Sequence, residues 1–159
     1  MKKSVKKILL GVLSAVAVAV FGFILLNLTF LFDFLFQSII DFIIKPFTSS
    51  DINMVWNWFP PMKHFTFVIV IGIISWFIFK SKLKTIYKAI FMTVPVAVVL
   101  VTLGIFFYRW PVLLYLMGGL FSIGVLYYLY KNKKSWIYYY ALILVSVVLA
   151  ISTLMGVEI

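Results

Sequence analysis

The sequence contains no cysteine, a single histidine, and only 4 acidic residues in 159. Without cysteine, the chain cannot form a disulfide, a thiolate metal site or a cysteine nucleophile. One histidine cannot build a multi-histidine metal centre within one chain. Phosphate-binding loops, dinucleotide fingerprints, zinc-protease motifs and EF-hand loops are also missing from the sequence. We therefore predict no metal site and no cofactor.

Charged residues of any kind are scarce. They make up 11% of the chain, whereas 65% of the residues are hydrophobic and the mean hydropathy is +1.20. Soluble domains carry about 25% charged residues. This composition predicts an all-α integral membrane protein formed by one membrane domain, 1–159. The net charge of +10 would fit nucleic-acid binding in a soluble protein. Here the lysines flank apolar runs, so the predicted partner is anionic lipid at the inner face and not nucleic acid.

Five apolar runs approach or reach the length of a membrane span, which is about 20 residues. They cover residues 8–28, 62–79, 89–107, 112–130 and 137–156. The first run follows the basic stretch MKKSVKK, as in a signal peptide, but it is longer than the usual apolar region of about 7–15 residues. We therefore interpret it as an uncleaved first span and predict a bundle of five transmembrane helices.

The positions of the lysines predict the orientation of this bundle. Three clusters hold 11 of the 14 basic residues: Lys2, Lys3, Lys6 and Lys7; Lys80, Lys82, Lys84 and Lys88; and Lys131, Lys133 and Lys134. Five spans place all three clusters on one face of the membrane, whereas six spans would divide the basic residues evenly. The positive-inside rule then predicts an inner N-terminus and an outer C-terminus. The lysine-rich, cysteine-free composition indicates a bacterial plasma membrane.

A polar stripe follows the first span. The residues Thr29, Asp33, Gln37, Asp41 and Lys45 recur at every fourth position. A helix turns about 100° per residue, so each step of four drifts by only about 40°. The stretch 30–45 therefore predicts a short amphipathic helix. It would either lie at the outer interface with its acids in water, or form a re-entrant helix that points Asp33, Gln37 and Asp41 into a cavity.

His64 precedes the second span and is a further candidate. A catalytic interpretation pairs it with Asp33 or Asp41, which would orient it as a general base. An enzyme that modifies lipids would combine Asp41 and His64 with Ser49 or Ser50. The commoner role is an interfacial histidine that hydrogen-bonds to headgroups or water.

Two further features predict contacts with partners. The outer loop, 46–61, carries Trp56 and Trp58, which would either cover a ligand or anchor the loop among lipid headgroups. In the fourth span, Gly118 and Ser122 have the small-xxx-small spacing of close helix contacts. They predict tight packing within one subunit, in a homo-oligomer or with another membrane protein.

Three functions are compatible with these patterns. The first is a non-enzymatic accessory, immunity-type or partner- and lipid-binding membrane subunit. The second is a small transporter or substrate-binding membrane component with an outward-facing cavity lined by Asp33, Gln37 and Asp41. The third is an intramembrane lipid-modifying enzyme, which we favour least because no motif places a nucleophile.

Overall fold

The chain forms a bundle of long helices. The computed structural model describes residues 2–44, 59–107 and 109–154. In these ranges, the elements are α1 (Lys2–Ile44), α2 (Phe59–Lys80), α3 (Thr85–Phe107), α4 (Pro111–Lys131) and α5 (Trp136–Leu154). The prediction of an all-α protein is confirmed for the described part of the chain. All five of its helices are long and apolar enough to cross a membrane, by their length and composition.

The first helix differs from the prediction. It runs without a break for 43 residues, and the amphipathic segment predicted as a separate helix is its C-terminal part. No glycine or proline lies between Gly22 and Pro46 to end it. Two of its polar side chains bind to the helix itself: Asn27 donates to the carbonyl oxygen of Phe23 at 2.8 Å, and Thr29 donates to that of Leu25 at 2.7 Å. A polar stripe is therefore not enough to interrupt a helix.

The helices alternate in direction. α1 and α3 run parallel. Gly22 of α1 lies beside Thr93 of α3. Further along each helix, Asp33 of α1 and Thr102 of α3 both lie next to His64.

The short connections from α2 to α3, α3 to α4 and α4 to α5 make these neighbours antiparallel. α1 and α2 are also antiparallel, because Asp41 pairs with Lys63 while Phe32, earlier in α1, contacts Phe67, later in α2. The N-terminal end of α1 and the α2–α3 and α4–α5 connections therefore meet at one end of the bundle. We call this the basic end, because it carries the three lysine clusters.

α3 lies at the centre of the bundle and packs against all four other helices. Its buried residues include Ala89, Met92, Val96 and Ala97, which pack with α5 and with Val18 of α1. A second apolar cluster joins α2 to α3 and consists of Phe67, Ile71, Val94 and Val98. The second cluster lies towards the end of the bundle opposite the basic end, next to the polar side chains of the candidate site.

Small residues mark the closest helix contacts. A Cβ on Gly22 would lie 3.0 Å from Thr93 Cγ2, so glycine is what allows α1 to approach α3 here. On α4, a Cβ on Gly118 would lie 3.6 Å from Leu100 of α3. Ser122 shares a 3.3 Å hydrogen bond with Ser146 of α5. Both residues of the small-xxx-small motif therefore face helices of the same chain.

Candidate functional site

Polar side chains from three helices converge near the end of the bundle opposite the basic end. Thr29, Asp33 and Gln37 come from α1, His64 from α2 and Thr102 from α3. The four-residue spacing brings the three α1 residues to one side of that helix, where it faces α2 and α3. Thr29 and His64 are buried. We call this group the Asp33–His64 site.

His64 is held from both sides of its ring. Its Nε2 lies 3.0 Å from Thr102 Oγ1, which is hydrogen-bond distance, and its Nδ1 lies 3.6 Å from Asp33 Oδ2. The second distance is longer than a hydrogen bond, and it makes an ion pair only when the ring is protonated. Thr102 also donates to the carbonyl oxygen of Val98 at 2.6 Å. The histidine is therefore fixed between a carboxylate and a hydroxyl in the interior of the bundle.

The two oxygens of Asp33 have different surroundings. Oδ2 accepts a hydrogen bond from Gln37 Nε2 at 2.9 Å. Oδ1 is buried and has no hydrogen-bond partner among the described residues. The whole side chain is only 18% exposed. Leaving a buried acceptor unpaired costs about 1–3 kcal/mol, and more when the group is charged, so a bound ligand or water that paired with this oxygen would recover that cost.

A small cavity lies against the Asp33–His64 site. Its volume is about 110 Å³, and Thr29, Asp33, His64 and Phe67 are part of its lining. Pockets for drug-sized ligands measure about 300–1,000 Å³, whereas one water takes up about 30 Å³ of liquid. The cavity therefore has room for water, a small ion or a group the size of ammonium.

Asp41 belongs to a different interaction. Lys63 Nζ donates to Asp41 Oδ1 at 2.8 Å, and the two side chains are 10% and 36% exposed. This ion pair joins the last turns of α1 to the first turns of α2. In the structure, Asp33 and not Asp41 faces His64, and neither Asp41 nor Gln37 lines the cavity. Asp41 therefore pairs with Lys63 and not with His64.

The remaining predicted site residues lie elsewhere. Trp56, Trp58 and most of the loop 46–61 fall outside the described residues, as do Ser49 and Ser50. The described part of the chain contains no group of three or more histidine, cysteine, aspartate or glutamate residues that could hold a metal ion.

Two residues of the site were missed in the sequence, namely Thr102 and Phe67. Thr102 has a signal, since it is one of few polar residues in its apolar run. Phe67, however, is one of 17 phenylalanines, and nothing in the sequence distinguishes it from the others.

Comparison with known proteins does not extend this description. No family model, no curated protein and no solved structure matches the chain. The function is therefore argued from the geometry of the Asp33–His64 site.

Proposed function

We propose that the protein is a small multi-pass membrane transporter, or the substrate-binding component of one, and that it takes a small cation into the Asp33–His64 site. One observation carries this proposal: Asp33 lines a cavity, and its buried Oδ1 has no hydrogen-bond partner among the described residues. Ionisable residues inside membrane helices are costly, and they mark ion and substrate pathways.

The chemistry of the lining favours a cation over an anion. Asp33 offers an unpaired carboxylate oxygen. Thr29 also lines the cavity, and its hydroxyl hydrogen already goes to the carbonyl oxygen of Leu25, so its oxygen is left as an acceptor. The cavity volume of about 110 Å³ fits a monovalent ion, ammonium or methylammonium.

The proposed orientation follows from the lysines. The basic end would lie at the inner face, in contact with anionic lipid, because basic residues concentrate on the cytoplasmic side. The Asp33–His64 site would then lie near the outer face of a bacterial plasma membrane. The Asp41–Lys63 ion pair would lie at its outer mouth, between α1 and α2.

Replacement of Asp33 by asparagine is expected to abolish cation movement while leaving expression unchanged. The purified protein would be reconstituted in liposomes, and inward gradients of Na⁺, K⁺, ammonium and methylammonium would be applied in turn. Cation movement would be followed with a voltage-sensitive dye and, because exchange for a proton moves no net charge, also with a pH-sensitive dye inside the liposomes. Asparagine keeps the shape of the side chain but removes the charge that holds a cation. A loss of at least tenfold in initial rate is expected for the transported ion.

Ser38→Ala serves as the control for this experiment. Ser38 is exposed on the same helix, and its hydroxyl donates to the carbonyl oxygen of Phe34, so its loss does not alter the cavity. The control should keep the wild-type rate. Equal rates in wild type and Asp33→Asn, or no movement of any of the four cations, would contradict the proposal.

A second candidate is the non-enzymatic partner-binding subunit, and α4 favours it. Leu129 is the one residue of this helix that is buried. Gly119 and Gly124 leave open space around an added Cβ, so a partner helix or a second copy could approach closely there. Native mass spectrometry of the detergent-purified protein would show the partner, and Gly124→Leu would release it.

A further inference from the structure

We propose that His64 carries an exchangeable proton, and that a protonated His64 and a bound cation are alternative counter-charges for Asp33. The first half of this inference stands on the hydrogen bonds of His64 alone. The second half rests on the proposed function, because it names what the proton competes with. Together they make the Asp33–His64 site a place where a cation is exchanged for a proton.

The partners of the ring suit both of its protonation states. When both nitrogens carry hydrogen, Nε2–H donates to Thr102 Oγ1, the Thr102 hydroxyl donates to the carbonyl oxygen of Val98, and Nδ1–H points towards Asp33. When one proton has left, Thr102 can turn its hydroxyl and donate to Nε2, because a hydroxyl both donates and accepts. The carbonyl of Val98 keeps its helical partner in either case. Only one hydroxyl hydrogen has to move.

The charges make protonation and cation binding exclusive. Gain of a proton turns the ring into a cation 3.6 Å from Asp33 Oδ2, so the pair becomes neutral overall. Loss of that proton to water in the cavity leaves Asp33 as an uncompensated buried carboxylate, which attracts the next cation. A cation held at Oδ1 would in turn repel a proton from the ring. No heavy-atom bond forms or breaks, and the N–H bond is the only one exchanged.

Within the ranges 2–44, 59–107 and 109–154, few other charges face His64. From α1 these are Asp33 and, one ion pair away, Asp41; from α2, it is the neighbouring Lys63, which is bound to Asp41. The titratable residues of α3 are Tyr87 and Lys88, and Lys88 donates to the carbonyl oxygens of Phe79 and Ser81 at the basic end. Asp33 is therefore the carboxylate that faces the ring.

The test uses the fact that the sequence has one histidine. The protein, labelled with ¹⁵N at histidine and reconstituted in lipid nanodiscs, would be titrated by NMR between about pH 5 and 8, the range in which histidine side chains change charge. A single transition is expected. It should move to lower pH in Asp33→Asn, which removes the negative charge, and in Thr102→Val, which removes the Nε2 partner. Thr66→Val, an exposed threonine on α2, should leave it in place.

Addition of methylammonium or Na⁺ should also move the wild-type transition to lower pH. N-methylglucamine at equal ionic strength is the control, because it is too large for the cavity and should not move the transition. A ring that shows no transition, or a transition that Asp33→Asn and Thr102→Val both leave in place, would overturn the proton site. A transition that depends on Asp33 but ignores both small cations would overturn the competition and count against cation binding, while the proton site would stand.

Discussion

Phe67→Ala is expected to be strongly destabilising and to enlarge the cavity at the same time. Phe67 is 1% exposed and is among the largest fully buried side chains. Its ring lies 5.8 Å from the rings of Phe32 and Phe36 of α1, and 6.2 Å from the ring of His64. Truncation would remove the wall that separates the Asp33–His64 site from the apolar cluster of α2 and α3.

The size of the effect depends on what surrounds the unfolded helices. In soluble cores, Phe→Ala costs about 3–5 kcal/mol, which includes transfer from water and the cavity left behind. In a bilayer, the transfer part largely drops out because separated helices face lipid. We therefore expect a loss of about 2–3 kcal/mol, measured as unfolding in mixed micelles.

Phe65→Ala is the matched control for this prediction. Phe65 lies two residues away on α2 and is 56% exposed, so its truncation leaves no internal cavity and should change stability by less than about 0.5 kcal/mol. Equal losses for the two variants would mean that Phe67 does not pack as described.

Functionally, Phe67→Ala should also relax the size limit of the cavity and admit cations larger than methylammonium.

Gly22→Leu is expected to force α1 away from α3. Even a Cβ at this position would lie 3.0 Å from Thr93 Cγ2 and 3.4 Å from Thr93 Oγ1. Thr93 is itself buried and its hydroxyl is bound to the carbonyl oxygen of Ile90, so it cannot turn aside without losing that bond. Overpacking of this kind costs about 1–3 kcal/mol, which corresponds to a drop of about 2–12 °C in Tm for a chain of this size.

The control for this substitution is Gly72→Leu on α2. Nothing lies within 4 Å of a Cβ at Gly72, which is exposed on the outside of the bundle. Both variants replace a helical glycine by the same residue, so they share the change in helix propensity and differ in the contact alone. If Gly22→Leu melted at the same temperature as Gly72→Leu, the close approach of α1 and α3 would be refuted.

The all-helical architecture was predictable because it depends on composition and run length, which are properties of each segment alone. The continuity of α1 was not. The stripe of Asp33, Gln37 and Asp41 indicates a change of environment, and on that basis the sequence predicts a new helix. The backbone responds instead to helix breakers such as glycine and proline, and residues 23–45 contain neither.

The site was predictable only in part, for a related reason. The stripe predicted that Asp33 and Gln37 share a helix face, and Asp33 was one of two carboxylates considered for His64. The choice between Asp33 and Asp41 depends on how α1 is rotated against α2. Thr102 enters from a third helix, 38 residues away from His64 in sequence. Rotations between helices are set by packing at contacts such as Gly22–Thr93, which no single segment encodes.

α1 is longer than is needed to cross a bilayer. At 43 residues, the helix is about 65 Å long, roughly twice the ~30 Å hydrocarbon layer. A tilt of about 40°, the upper end of the observed range, would accommodate only about 26 residues. Its outermost turns still carry Ile39, Phe42 and Ile43 as exposed apolar side chains, so hydrophobic mismatch would draw lipid up around them. The acyl-chain length of the lipids would therefore change how far the turns that carry Asp33 and Asp41 extend out of the bilayer.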